Sequence, residues 1–250
     1  MNAFFAELIK LRRSLSWAVV TLLPVVMVAS GSIMTLIDGG ELEDGWHTLW
    51  MRSFVFYGLF PLSVGIAILA SLVWRAEHLG GNWNSLMAGP TASLRIVLAK
   101  AGVVAVLAAI MQAVAVLVVV ALGELAFGLP GLLPPRYLAV SIAIVVASIP
   151  VAVLQSWLSM QMRSFAAPVA IAFLGSGVSA FLLVVGVDAA IFVSPYGAVS
   201  RAAQLGTATF ADTGDITGDV LAAIAASSLL LSAVLAAANT LVLERADART

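Results

Sequence analysis

The chain contains no cysteine, has only two histidines, and carries few charged side chains. Charged residues make up 10% of its 250 positions, whereas a soluble domain usually carries about 25%. The lack of thiols excludes disulfides, thiolate metal sites and cysteine nucleophiles. The shortage of charge excludes a disordered chain and an ordinary soluble enzyme, and a net charge of -1 gives no long-range attraction toward nucleic acid. An integral membrane protein is the class that remains.

The sequence also lacks the motifs that supply energy or catalysis within a membrane. No Gly-Lys pair occurs, so the GxxxxGK[ST] phosphate-binding loop of an ATPase is absent. No HExxH motif is present, which argues against an intramembrane metalloprotease. The stretch Gly175-Ser176-Gly177 resembles a protease serine site only superficially, because no apolar stretch offers a His or Lys base. Small residues at this spacing more often let helices pack closely. Active transport by this chain would need an energy source in another subunit.

The chain is rich in apolar residues, which make up 62% of its sequence. The mean hydropathy of the chain is +1.10. A helix that crosses about 30 Å of hydrocarbon needs about 20 mostly apolar residues. Six stretches meet this requirement without an Asp, Glu, Lys, Arg or His, namely residues 15–37, 53–74, 101–123, 138–160, 165–187 and 220–243. The sequence therefore predicts an all-α polytopic membrane protein with six transmembrane helices, in which residues 1–250 form a single transmembrane domain.

The distribution of basic residues predicts the orientation of these helices. Cytoplasmic segments are enriched in Lys and Arg. If both termini are cytoplasmic, the outer loops hold only Arg52, Arg136 and Arg201. The inner segments then hold the other nine basic residues, which are Lys10, Arg12, Arg13, Arg75, Arg95, Lys100, Arg163, Arg245 and Arg249. We therefore expect the N-terminus and the C-terminus on the cytoplasmic side.

Residues 1–14 have the pattern of a short amphipathic helix at the membrane surface. Apolar residues Phe4, Leu8 and Leu11 share one helical face, and the charged residues Glu7, Lys10 and Arg13 share another. An apolar face beside basic residues suits the cytoplasmic interface. The alternative is a plain positively charged segment that only sets the topology.

The longest inner loop, residues 75–100, is too long for a tight turn between two helices. Asn82 or Asn84 could cap a short helix that contains Trp83, Leu86 and Met87. Exposure of these apolar side chains to water is unfavourable, so we expect another surface to bury them. One interpretation is a docking element for a cytoplasmic partner. The other is a helix at headgroup level with Trp83 as an aromatic anchor, and the residues alone favour neither.

The two long outer loops carry different signals. Residues 188–219 begin with an apolar part that is interrupted by Pro195 and Gly197, which is typical of a segment that re-enters the membrane and is satisfied there by protein or water. Residues 38–52 contain Trp46 and Trp50, which we interpret as anchors at the outer interface. His47 in the same loop is weak evidence for a metal site, since a solvated loop explains it better, and no metal site is predicted.

Aromatic residues are concentrated at the start of the second predicted helix, which contains Phe54, Phe56, Tyr57 and Phe60. An aromatic, nearly uncharged cavity would suit a hydrophobic or amphipathic substrate. The alternative for any one of these side chains is a lipid-facing or packed position on the helix surface.

Taken in order along the chain, these features resemble the type-2 ABC exporter permeases, which have an ABCG-like fold. The resemblance covers the topology of the full chain, and within the family it is strongest to the permeases of lantibiotic and bacteriocin self-immunity exporters. It rests on Glu7 and Lys10 near the start and on inner-loop residues Glu77, Asn82, Trp83, Pro90, Arg95 and Lys100.

The resemblance implies three groups of functional residues. The inner loop would form a coupling helix seated in a groove of an ATPase subunit, through Arg75, Glu77, His78, Asn82, Trp83, Leu86 and Met87. The N-terminal helix would act as an interfacial connecting helix, through Glu7, Lys10 and Arg13. The substrate path would run between two permease subunits along the second and fifth helices, with Phe54, Tyr57, Phe60, Phe173 and Ser176 as candidate lining residues.

The resemblance also implies the partners of the chain and its location. This chain would bind no cofactor and catalyse no reaction, while ATP and Mg²⁺ would bind to two copies of a separate ATPase subunit. A second permease subunit, identical or homologous, and membrane lipids would complete the assembly in the bacterial cytoplasmic membrane, with no nucleic acid. The implied function is export of a hydrophobic or amphipathic substrate, such as a lantibiotic or another antimicrobial peptide, for immunity. The alternative is a non-transporting membrane partner or assembly protein.

Overall fold

Long apolar helices form the body of the protein, as the hydropathy pattern predicts. The computed structural model describes residues 3–11, 14–37, 42–79, 92–209, 212 and 214–247. Within these residues the chain forms ten helices and no β-strand, which confirms the all-α prediction. The helices are α1 (Ala3–Lys10), α2 (Ser16–Ile37), α3 (Gly45–Leu59), α4 (Pro61–His78), α5 (Ser93–Leu125), α6 (Pro135–Gln161), α7 (Ala166–Val184), α8 (Ala190–Val193), α9 (Pro195–Gln204) and α10 (Gly218–Asp247).

Five of these helices are each long and apolar enough to cross a membrane, and they are α2, α5, α6, α7 and α10. A sixth crossing is formed if α3 and α4 together count as one span. Helix α6 lies at the centre of the bundle and packs against α4, α5, α9 and α10. The fold is therefore a multi-pass membrane bundle of five or six spans, and the direction of its termini stays a prediction.

The second predicted span, residues 53–74, is a bent pair of helices instead of one straight helix. Helices α3 and α4 meet at an angle of 48°. Phe60 lies between them with a non-helical backbone (φ -132°, ψ -54°), and Pro61 is the first residue of α4. Proline has no N–H to donate and its ring clashes with the preceding helical turn, so α3 ends at Leu59 and α4 begins in a new direction.

Helices α4 and α5 are both longer than their predicted spans on the side of the inner loop. Helix α4 continues through Arg75 and Glu77 to His78, and α5 begins at Ser93 and includes Lys100. The predicted boundaries stopped at charged residues because an unpaired charge is costly in a membrane helix. The connection between the two helices is therefore 79–92, which is shorter than the predicted loop of residues 75–100.

The interpretation of Trp46 and Trp50 as interface anchors is wrong, because both side chains are packed inside the bundle. Helix α3 begins at Gly45, within the stretch predicted as an outer loop. The Trp46 indole N–H donates to the carbonyl oxygen of Pro130 at 3.1 Å, and its ring lies against Gly123. Trp50 is fully buried. The indole rings of Trp46 and Trp50 therefore contribute buried apolar surface to helix packing.

The apolar part of the predicted outer loop 188–219 forms the short helix α9, which lies against α3, α6 and α7. Pro195 is its first residue, where a missing N–H costs nothing, and the Ser194 hydroxyl accepts a bond from the Gly197 N–H. Nearly every residue of α9 is buried. The helix therefore belongs to the packed bundle and supplies polar groups to its interior.

The polar part of the same loop is organised by one carboxylate. Asp212 Oδ2 accepts bonds from the backbone N–H groups of Thr207, Ala208 and Gly214, at 3.0 to 3.1 Å. The second oxygen, Oδ1, lies 2.7 Å from the Arg201 guanidinium on α9. Because the Asp212 side chain is fully buried, these contacts fix the loop to α9.

Candidate functional site

Four oppositely charged side chains meet where α1, α4 and α5 come together. Lys10 Nζ lies 2.8 Å from Glu7 Oε1 and 2.8 Å from Glu77 Oε1. Lys100 Nζ lies 2.9 Å from Glu7 Oε2 and 3.0 Å from Glu77 Oε1. Each lysine therefore donates to both glutamates. We call these four side chains the charge ring.

The charge ring is formed by residues that are distant in the sequence but fixed by their helices. Glu7 and Lys10 are three positions apart on α1 and so share one helical face. Glu77 is in the last turn of α4, and Lys100 is on α5. The apolar side chains Phe4 and Leu8 of α1 pack against the hydrophobic core, which turns Glu7 inward.

Three of the four members of the charge ring are buried. The side-chain exposure is 1% for Lys100, 5% for Glu77 and 11% for Glu7, compared with 47% for Lys10. The Lys100 ammonium also lies 4.7 Å from the centroid of the Trp74 ring, where the face of an indole attracts a cation. Removing one partner of a buried ion pair leaves an uncompensated charge and typically costs about 3–5 kcal/mol. The ring thus holds α1 tightly to α4 and α5.

Lys10 is the member of the charge ring that water can reach. Partial burial by itself lowers the pKa of Lys10, but the hydrogen bonds to Glu7 and Glu77 outweigh it, and the net pKa is raised. A raised lysine pKa stabilises the folded state at every pH below the ordinary value, and this contribution is lost only as the pH rises through the folded pKa. We therefore expect Lys10 to stay charged and paired throughout the physiological range.

The charge ring lies at the base of the segment 79–92, which joins α4 to α5. Of the residues predicted to contact an ATPase, Asn82, Trp83, Leu86 and Met87 lie outside the described residues, as does Arg13 of the N-terminal segment. The predicted residues Glu7, Lys10 and Glu77 are brought together by the structure. The ring therefore joins the two helices that flank the segment 79–92 to one another and to α1.

Arg75 and His78 are also on the last turns of α4, and both line a cavity beside α6. Glu77 is not part of the lining of this cavity. His78 Nε2 lies 2.7 Å from the carbonyl oxygen of Ser159 on α6. Because a carbonyl oxygen can only accept, this nitrogen carries a proton and donates it. The end of α4 is therefore tied to α1 and α5 by Glu77 and to α6 by His78.

The candidate path residues fall into two groups. Phe54 and Tyr57 are fully buried within the chain. Phe54 stacks on Trp50 with a centroid separation of 3.9 Å, and Trp50 in turn stacks on Tyr137 at 4.8 Å. Phe60 and Phe173 lie together at 5.4 Å, and Phe173 is 56% exposed on α7. The Phe54 and Tyr57 rings meet edge to face at 5.8 Å, so the structure brings together Phe54 with Tyr57, and Phe60 with Phe173.

Several buried polar groups near these aromatics have no hydrogen-bond partner among the described residues. They include the Tyr57 hydroxyl on α3, the Ser176 hydroxyl on α7, and both amide atoms of Gln204 on α9. Helix α9 packs against both α3 and α7. An unsatisfied buried polar group typically costs about 1–3 kcal/mol, so these groups are candidates for contact with a polar part of a ligand.

Sequence reasoning missed the roles of Lys100, Trp74 and Gln204. The predicted inner loop ends at Lys100, and the signal that could have revealed the burial of Lys100 is the apolar sequence on both sides of it. Gln204 lies in a segment of low hydropathy that gave no reason to expect burial.

His47, which the sequence offered as weak evidence for a metal site, contacts a tyrosine: its Nδ1 atom lies 2.9 Å from the Tyr137 hydroxyl. Within the described ranges no group of three or more His, Asp or Glu side chains could hold a metal ion.

Comparison with known proteins gives one clear similarity. A family model described as "ABC-2 family transporter protein" matches residues 3–179, which is more than half of the chain. The matched stretch runs from α1 into α7 and includes the whole charge ring. No curated protein and no solved structure matches the chain.

Proposed function

The chain belongs to the ABC-2 transporter family, and we propose that it is the permease subunit of an exporter that is driven by a separate ATPase. Membership makes it the transmembrane component of an ABC transporter, with the ATPase in another subunit. We further propose that two such permease subunits, identical or homologous, assemble with two ATPase subunits in the bacterial cytoplasmic membrane. ATP and Mg²⁺ bind to the ATPase subunits.

The observation that carries the coupling part of this proposal is the charge ring. An ATPase that binds at the segment 79–92 acts on the ends of α4 and α5. Because Glu77 and Lys100 are bonded to each other and to α1, a displacement of this segment moves three helices as one unit. ATP binding then shifts the equilibrium between two arrangements of the permease, as far as its differential affinity for the two states allows.

The proposed substrate is hydrophobic or amphipathic, and a lantibiotic or another antimicrobial peptide is the example we favour. Two observations support this substrate class. The spans carry large apolar side chains, and Phe173 on α7 is 56% exposed next to Phe60. The unpartnered polar groups of Tyr57, Ser176 and Gln204 would meet the polar part of such a molecule when the helices rearrange. An amphipathic peptide matches both kinds of surface.

Transport by the assembled complex tests the coupling proposal. The experiment measures ATP-dependent uptake of a labelled amphipathic peptide into inside-out vesicles that contain the permease and its ATPase. We expect the Trp83→Ala variant to insert normally but to lose most of this uptake. Glu124→Gln is the control, because Glu124 is exposed at the opposite end of α5. Full uptake by well-inserted Trp83→Ala would contradict a coupling role for Trp83 in the segment 79–92.

A further inference from the structure

A cavity of about 320 Å³ opens between the ends of α4 and α6 and the beginning of α7. Its polar lining consists of Ser71, Arg75, His78, Ser159, Arg163 and Ser164. No acidic side chain is among the described residues that line it. The cavity is therefore positively charged, in a protein whose net charge is -1.

The two arginines of this cavity are not neutralised by the residues around them. In the described part of the chain, neither the Arg75 guanidinium nor the Arg163 guanidinium makes an ion pair or hydrogen bond. The carboxylate nearest to Arg75 along the chain is that of Glu77, and it is paired with Lys10 and Lys100 in the charge ring. Two guanidinium groups are thus available to bind an anion, and the planar guanidinium matches the oxygens of phosphate particularly well.

The wall of the cavity is fixed by hydrogen bonds between helices. His78 Nε2 donates to the Ser159 carbonyl oxygen at 2.7 Å. The Ser71 hydroxyl lies 3.3 Å from the Ser159 hydroxyl and donates to the Phe165 carbonyl oxygen at 3.4 Å. These bonds join α4 to α6 and to the connection before α7. A ligand therefore meets a wall that is already formed, which lowers the cost of ordering it on binding.

Apolar side chains lie at the edge of the same cavity. Leu79 is 58% exposed and Phe165 is 44% exposed, and Met162 also lines the wall. Phe165 directly precedes α7, which is a candidate membrane span. The cavity thus combines positive charge with apolar side chains next to a candidate span, which complements the anionic headgroup and the acyl chains of a phospholipid.

We propose that this cavity binds the phosphate headgroup of an anionic phospholipid, with Arg75 and Arg163 contacting the phosphate and the acyl chains lying outside against Phe165 and Leu79. Basic pockets between transmembrane helices recognise anionic headgroups in this way. A volume of about 320 Å³ is at the low end of the range of about 300–1,000 Å³ for small-molecule sites, which suits a headgroup without its chains. The bound lipid would contact both the end of α4 and the connection between α6 and α7.

Lipid binding to the purified full-length chain tests this proposal. Native mass spectrometry compares phosphatidylglycerol with phosphatidylcholine of the same acyl chains. We expect wild type to retain phosphatidylglycerol preferentially, and we expect Arg75→Gln and Arg163→Gln each to lower its affinity about tenfold, as the loss of one charge-assisted hydrogen bond predicts. Arg95→Gln is the matched control, because Arg95 is exposed near the start of α5 but does not line the cavity.

Each other outcome contradicts the proposal in a distinct way. Equal retention of the two lipids by wild type, or an equal loss in Arg95→Gln, means that no specific site exists. If soluble glycerophosphoglycerol displaces bound phosphatidylglycerol at an equal concentration, the acyl chains add nothing and the cavity is a site for soluble phosphate compounds. Normal lipid binding together with loss of the ATPase from Arg75→Gln and Arg163→Gln assigns the cavity to the ATPase contact. Melting temperatures of all variants confirm that they fold.

Discussion

Lys100 Nζ and Glu77 Oε1 lie 3.0 Å apart although the two residues are separated by 23 positions in the chain. This contact joins the last turn of α4 to α5, two turns after the first residue of α5. Glu7 and Lys10 of α1 bind to the same pair. The N-terminal helix is therefore joined to both of the helices that flank the segment at which we propose the ATPase acts.

The burial of Lys100 predicts that it contributes far more to stability than Lys10, although both bind the same two carboxylates. We expect Lys100→Met to destabilise the protein by about 3–5 kcal/mol, because two buried glutamates would keep only the exposed Lys10. We expect Lys10→Met to cost at most about 1 kcal/mol, as is usual for an exposed pair. Unfolding in detergent measures both changes, and hydrogen exchange of residues 3–11 reports whether α1 detaches. Equal effects of the two substitutions would show that the ring is not buried.

The hydroxyl groups of two buried tyrosines provide a test of the substrate path. The Tyr57 hydroxyl has no partner among the described residues, so we expect Tyr57→Phe to leave stability unchanged or slightly raised while it lowers peptide transport. The Tyr137 hydroxyl bonds to His47 and Arg136, and Tyr137→Phe should cost about 1 kcal/mol. Thermal unfolding and vesicle transport are measured for both variants. Wild-type transport by Tyr57→Phe would remove this hydroxyl from the path.

The close approach of α3 to α9 depends on Gly58. A Cβ atom at position 58 would clash with the Cβ of Ala203 on α9. We therefore expect Gly58→Ala to cost about 1–3 kcal/mol through overpacking, measured by unfolding in detergent. In Gly102→Ala, the new methyl would lie 3.5 Å from the Phe4 ring, an ordinary contact. That control should be neutral or stabilising, because alanine favours a helix by about 1 kcal/mol over glycine. Unchanged stability in Gly58→Ala would contradict the packing of α9.

The absence of cysteine allows the orientation to be measured directly. Single cysteines introduced at Leu132 and Asp215 should react with a membrane-impermeant maleimide on intact cells. Single cysteines at Ala92 and Ser164 should react only after the membrane is permeabilised. All four positions are exposed, so access to the reagent depends on the side of the membrane. The reverse pattern of labelling would overturn the predicted cytoplasmic location of both termini.

The sequence predicted the number and approximate positions of the apolar helices because hydrocarbon thickness imposes a minimum length on each span. It could not predict where α4 and α5 end. Because Glu77 and Lys100 are charged, the sequence predicts them in a loop. In the fold they form an ion pair across 23 positions, and a local sequence pattern does not reveal that pairing. Trp46 was misplaced for a similar reason, since its ring lies against Gly123 of a distant helix. Pro61 is compatible with a helix break, but the 48° bend between α3 and α4 also depends on the helices packed around them.

A permease that works with a separate ATPase should purify together with that ATPase. The most direct measurement is gentle solubilisation of the full-length protein from its native membrane, followed by identification and quantification of the proteins that purify with it. We predict a P-loop ATPase in equal amount to the permease, with ATP hydrolysis in the purified complex. An intact permease that purifies repeatedly without any ATPase would contradict the account and favour a non-transporting membrane protein.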